Sequence, residues 1–477
     1  MKKIYHKCTL LLVALATLLT SCKDFLDVNV DPTLKGDAAI QELLPTALFY
    51  TSESSYYQAY IACQYVQQIG SARALGDLDS QVQADNSTGW SQFYLNIFPH
   101  LNLMISKGQS GNAPAYVGIS KTLMAYNLGL LTTSWENIPY SQADQKNFAP
   151  AYDTQQSVYT AIQKLLDEGI IELQKNTGTK PGADDLIYAG DLAKWTKFAY
   201  TLKARFALHL SVKNSQQAAQ AALDAVQKGF ASNADDFELM YNTKNLSPWY
   251  SRVALANTTG NITITHSATF IDLMNGKGGT VVDPRLPKLA TLRKSQTEYL
   301  GVNPGTGAGA SVDFTTGSWS SNINSPIEMV TYSEAKAIEA EARFILNGGT
   351  VTSKGTTAPG YDAYLEIIKA NMKNVGVSDA DMIAYTSNAR INVGAANLTL
   401  SQILAEKNKA MFLIGDIWTD FRRYDYLNMP VPANLNVDLQ GKFIQRFNYP
   451  TSETTRNSDV AKQNIKPLNE KMWMFTK

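Results

Sequence analysis

"GDLAKWTKFAYTLKARFALHLS", residues 190–211, decides how the rest of the chain is read. Trp195, Phe198, Ala199, Leu202, Phe206 and Leu210 recur at spacings of three and four, which lines one face of a helix and neither face of a strand. Asp191 stands just ahead of the stripe, where a carboxylate can accept the free amide protons of a first turn. The pattern spreads in both directions. Val158, Ile162, Leu165, Leu166 and Leu173 form another stripe, and Ala218 to Val226 is helical by its alanine content. Thr331 with Glu334, and Thr399 with Gln402, have the form of capping boxes before the runs that start at Ala335 and Ile403. Earlier helices are expected near 38–69, 90–106 and 115–131.

Between these runs lie tracts of another kind. Residues 229–327 are dense in Gly, Asn, Ser and Thr, and "NPGTGAGASVDF" within them is a loop by composition. Residues 347–360 make a second loop. From about 428 onward the chain reads as irregular, with prolines at 430, 432 and 450. Strands are expected only at Ile262–Thr265 and Thr280–Val282. The expectation is therefore an all-α fold. Its scaffold covers about 38–228 and 328–427, with a loop-rich insertion at 229–327 and a tail at 428–477. No repeat of fixed period is visible in the sequence itself.

The chain has 477 residues, and its 42 Lys and Arg balance its 42 Asp and Glu, for a formal net charge of +0. No cluster of basic residues offers phosphates a surface, which argues against a nucleic-acid partner. Cysteine is scarce, at 3, too few for a disulfide framework. Cys63 reads as a small buried hydrophobe. The amino end is more specific. Lys2, Lys3 and Lys7 precede an apolar run from about Leu10 to Leu19, too short to span a bilayer and built like a secretory leader. It closes in Leu19-Thr20-Ser21-Cys22, which resembles a bacterial lipoprotein processing box. That resemblance implies removal of residues 1–21 and palmitate-type acylation of Cys22, and several acyl chains on one residue give a stable anchor. Lys23-Asp24 resembles the short charged tag that directs some lipoproteins to the cell surface.

Chemistry is harder to find. His100, His209 and His266 are far apart, and none stands at metal-ligand spacing from another His or Cys. Asp77, Asp79 and Asp85 start like a calcium loop, but Val82 and Thr88 occupy its glycine and glutamate positions. Gly305, Gly307 and Gly309 lack the strand and helix of a dinucleotide site. Asp184-Asp185 and Asp235-Asp236 suit turn and cap duty. Arg422 and Arg423, next to Asp416 and Asp420, suit structural ion pairs rather than an anion site. No catalytic residue, metal or cofactor is assigned.

Several stretches together resemble the SusD/RagB-like outer-membrane lipoproteins. "CKDFLDVNVDPT" after the processing box is similar to their post-anchor segment. "YDTQQSVYTAIQKLLDEGIIEL", the opening stretch, "DPRLPKL" from Asp283 and "MVTYSEAKAIEAEARFILNG" from Met329 follow in the family's order. "ILAEKNKAMFLIGDIWTDFRRYDY" from Ile403 resembles the signature that ends in Trp418, Asp420, Arg422 and Arg423, and "RFNYPTSETTRN" closes the series. The match is weakest over 230–325. The resemblance implies a superhelix of tetratricopeptide-like helix pairs carrying an inserted loop-rich subdomain, within one unit over 22–477. It also implies a surface lid over a SusC-like TonB-dependent transporter in the outer membrane. Such a lid captures oligosaccharides or peptides and performs no catalysis.

A sugar is gripped by an aromatic ring stacked on its C–H face with polar groups beside it. The rings free for this duty should lie in loops. Trp319 and the pair Trp249-Tyr250 fit, with Tyr299 and Arg73 behind them, whereas Trp90, Trp135 and Trp195 sit on helical stripes and belong to the core. Two other classes stay open at this point: a helical scaffold lipoprotein that organises protein partners, and an α-rich hydrolase.

Overall fold

Asp191 accepts the amide protons of Ala193 and Lys194, at 2.9 and 3.1 Å, and the helix it caps runs Leu192–His209. The computed structural model describes residues 38–477 except 74–77, 84, 144–146, 148 and 176, so the leader, Cys22, the Lys23-Asp24 tag and Asp77 lie outside the described residues. The principal helices are α1 (Ile40–Tyr65), α2 (Phe98–Ser110), α3 (Pro114–Trp135), α4 (Gln155–Gln174), α5 (Leu192–His209) and α6 (Ser215–Val226). After the insertion come α7 (Tyr332–Leu346), α8 (Ala358–Asn374), α9 (Leu400–Ala410) and α10 (Ile417–Arg423). Neighbours in sequence pack as neighbours in space from α2 through α6, and α7 packs on α8. This is the stacked helix-pair arrangement expected of a helical superhelix.

The insertion interrupts the chain but not the stack. Strand β2 (Phe237–Leu239) pairs antiparallel with β4 (Ile327–Val330), which ties its two ends together. The chain re-enters beside its point of exit, and α7 continues the stack by packing on α6. A second strand pair, β1 (Ile69–Ser71) with β3 (Ile264–His266), fastens the insertion to the end of α1. The expected strand at 262–265 is thus shifted by about two residues. The one expected at Thr280–Val282 does not form: Val282 makes a single bridge to Asn275 and is exposed.

Aromatic rings weld the insertion to the scaffold. Trp249, Phe314, His266, Phe412 and Phe270 stack in sequence, with centroids 6.1, 4.2, 5.4 and 4.6 Å apart. The tail carries little regular structure outside two short helices, yet it is core in its packing. Phe447, Met472, Met474 and Phe475 are buried, Trp135 donates its indole N–H to the Asn448 carbonyl at 2.8 Å, and Arg446 meets Glu136 at 2.5 Å. Two short helices, Thr451–Arg456 and Ser458–Asn464, lie within it.

Two polar expectations need correction. Thr331 caps α7 by accepting from Glu334 N at 3.2 Å, but the Glu334 carboxylate does not complete the box, because it is bound by the buried Arg205 guanidinium. The Thr399–Gln402 box is complete. Arg423 pairs with Asp420 as expected, and also with Glu341. Arg422 has no carboxylate partner among the described residues. It donates to the carbonyls of Thr133 and Gln445, at 2.6 and 2.9 Å, and lies over the Trp418 ring at 3.7 Å. Burial without a paired charge pulls its pKa down to about 10. Asp416 instead meets His209 at 3.1 Å and Arg205 at 3.5 Å.

Candidate functional site

Helix α1 carries Tyr56, Tyr57 and Tyr60, at spacings that bring all three to one side of a helix. Tyr56 is buried; Tyr57 and Tyr60 are half-buried and keep part of their rings open. Trp249 stands behind them, edge-on to Tyr56 at 4.9 Å and roughly parallel to Tyr60 at 6.4 Å. Arg252, one turn on from Trp249, places its guanidinium 4.9 Å from the centroids of both Tyr56 and Tyr57. Its Nη2 donates to Glu53 at 2.6 Å. Burial opposes the charge on Arg252, but the Glu53 carboxylate outweighs burial and raises the arginine above its ordinary range. Burial also pushes up the phenols of Tyr56 and Tyr60, which therefore stay protonated as donors.

Described residues between 78 and 88 complete the lining. Leu78, Gln83, Asp85, Asn86 and Thr88 face the tyrosines across a groove of about 510 Å³, which lies in the range of small-ligand clefts. This stretch is pinned at several points. Asp79 accepts from Ser71 N at 3.0 Å and Gly305 N at 3.2 Å, so the glycine-rich loop of the insertion buttresses it. Asn86 caps the next helical turn by accepting from Gly89 N at 3.1 Å. The groove is thus an aromatic face with amide, hydroxyl and carboxylate groups across from it.

The groove uses few of the residues expected from sequence. Trp249 lies in a helical turn rather than a loop and is 2% exposed, so it is a backing wall and not a free platform. Arg73 is exposed, donates Nε–H to the Ile262 carbonyl at 3.2 Å and does not line the groove itself. Tyr250, Trp319 and Tyr299 are half-buried and are not among the lining residues. Trp319 hangs from the Lys288 carbonyl by its own amide, at 2.8 Å, and Tyr299 packs beside Asn275. The α1 tyrosines that line the groove are not among the rings expected from sequence, which were sought in loops. The available signal was "SSYYQAY", three polar-tipped rings where a core helix would carry Leu or Phe.

The carboxyl groups singled out in the sequence have structural partners in the fold. Hydrolysis of a glycoside needs two carboxyls across a cleft, and Asp85 is the one carboxylate lining the described groove. Glu238 and Glu328 do face each other across β2 and β4, and burial raises both. Yet the cavity beside Glu328 is about 10 Å³, too small for a sugar ring. Asp184, Asp185, Asp235 and Asp236 hold amides, hydroxyls or Lys197, as turn and cap residues do. Among the described residues no group of His, Cys, Asp and Glu is arranged to hold a metal ion. Burial keeps the Cys63 thiol protonated.

A family model described as "Starch-binding associating with outer membrane" matches residues 37–450. The chain belongs to the SusD-like family. Solved structures agree on the fold. A chitin-binding protein superposes with a TM-score of 0.73 at 22% identity, covering 91% of this chain and all of its own. A SusD homolog from Bacteroides uniformis gives 0.74 at 20% identity, with 92% of this chain and all of its own covered. A chitin-binding SusD homolog from Flavobacterium johnsoniae gives 0.74 at 19% identity, with 92% and 99% covered. No protein of curated function matches this SusD-like chain. At these identities the shared fold carries over, and the ligands of those proteins do not.

Proposed function

We propose that this SusD-like chain is a non-catalytic, cell-surface binding lipoprotein. Anchored by acyl chains on Cys22 once residues 1–21 are removed, the unit 22–477 captures oligosaccharides at the tyrosine groove and delivers them to a SusC-like TonB-dependent transporter. The observation that carries this reading is the groove: two half-open tyrosine rings on a rigid helix, backed by a buried tryptophan and faced by polar side chains. An aromatic face gives affinity for C–H surfaces, and fixed polar groups orient hydroxyls. Oligosaccharide is favoured over peptide because the groove offers one uncompensated charge and no strand edge for a peptide backbone to join. Family membership supports the same reading, since the family description names starch binding and outer-membrane association. No helix among the described residues is long and apolar enough to cross a membrane, so the proposed attachment rests on the lipid.

The test is binding of a panel of oligosaccharides to the acyl-free protein, wild type against Tyr57→Ala and Tyr60→Ala. Loss of about tenfold in affinity in each variant is expected, with thermal midpoints unchanged within a few degrees. Wild-type protein that binds no saccharide, or variants that bind as wild type, would remove the groove from the proposal.

A further inference from the structure

The charges at the groove are arranged in a way that selects among saccharides. Among the described residues Arg252 is the one cation lining it, and its charge is already met by Glu53. Glu53, whose side chain is 9% exposed, holds Nη2 at 2.6 Å, and the guanidinium is sandwiched against Tyr56 and Tyr57. On the opposite wall Asp85 accepts from the amide and hydroxyl of Ser87 and has no cationic partner among the described residues. The other lining residues named above are uncharged. A carboxylate or sulfate entering the groove therefore meets a neutralised arginine and a free carboxylate. A hydroxyl or acetamido group meets phenol, amide and guanidinium protons it can accept. Arg73 is exposed nearby in sequence, but its Nε–H is directed to the Ile262 carbonyl and it does not line the groove.

Resting on the saccharide-binding reading of the groove, we infer that the site takes uncharged saccharides and rejects acidic ones, and that Glu53 sets this preference by neutralising Arg252. Removing negative charge while keeping shape should weaken that preference. Glu53→Gln preserves an oxygen that can accept from Arg252 but frees its positive charge. Asp85→Asn removes the like charge on the facing wall.

The experiment measures dissociation constants for maltohexaose, chitohexaose and cellohexaose against hexagalacturonate, at low ionic strength and again in 0.5 M salt. Wild type is expected to bind at least one neutral hexamer tenfold or more tighter than hexagalacturonate. In Glu53→Gln/Asp85→Asn that ratio should narrow at least tenfold at low salt, and the narrowing should shrink in high salt. Wild type that binds hexagalacturonate within threefold of its best neutral hexamer overturns the inference, as does a ratio unchanged in the double variant. If Tyr60→Ala still weakens binding about tenfold in that case, the groove reading stands. Failure of every hexamer to bind, or capture of peptides instead, sinks both. The lysine substitution Asp85→Lys gives an independent check, since it should favour the acidic hexamer without touching the Glu53–Arg252 pair.

Discussion

Arg422 shows how much one residue can hold. It lies fully buried, bonds to carbonyls from α3 and the tail, and among the described residues has no carboxylate to offset its charge. Its donors meet the carbonyls of Trp418, Thr133 and Gln445 and the Thr419 hydroxyl, and its guanidinium lies over the Trp418 ring, a use of arginine that lysine cannot copy. Arg422→Ala would leave two carbonyls unpaired and a hole between α3 and the tail. A loss on the order of 3 kcal/mol in urea unfolding is expected. His266 makes the second residue-scale prediction. It donates Nε2–H to Leu289 O at 3.0 Å between two phenylalanine rings, and burial lowers its pKa from 6.5 to about 3. A depressed histidine binds its proton only on unfolding. Its contribution is therefore complete above pH 6.5 and is lost as pH falls from 6.5 toward 3, by at most about 1.4 kcal/mol per pH unit. His266→Phe keeps the ring stack, so its stability should fall less steeply over that window than wild type.

At the scale of elements, helix proximity is set by small residues. A Cβ on Gly129 of α3 would lie 2.2 Å from the Phe206 ring of α5. Both are buried and neither helix can easily retreat, because each also packs on α4. Gly129→Ala should cost about 1–3 kcal/mol despite alanine's better helix propensity, measurable as a lowered thermal midpoint. How far the elements were legible follows from the same physics. The helices of the scaffold announced themselves because each buries one stripe, and that stripe has a period. Asp191 and Thr399 declared helix starts for the same local reason. Glu334 misled because its spacing suits a local cap, while Arg205 lies 129 residues away and competes for it. Thr280–Val282 misled because β-branched residues next to each other signal a strand only where a partner edge is present.

For the whole molecule, the fold joins a helical stack, an insertion held to it by stacked rings, and a groove lined by α1, by residues between 78 and 88 and by Arg252 of the insertion. Attachment is the part to be tested in cells. Cys22→Ser should move the protein from the membrane fraction to the soluble fraction, and wild type extracted in mild detergent should bring a β-barrel transporter with it. Wild type recovered without acyl modification, and free of any barrel protein, would contradict the proposed role.

The sequence by itself determined the helical class and the family, because periodic stripes, caps and ordered motifs depend on residues close together in the chain. Only the tertiary structure decided the groove and the ion pairing. Tyr57 and Arg252 are separated by 195 positions, and Arg422 and Thr133 by 289. Whether a ring on a helix faces a core or a cleft depends on what the fold lays against it, and no local pattern encodes that.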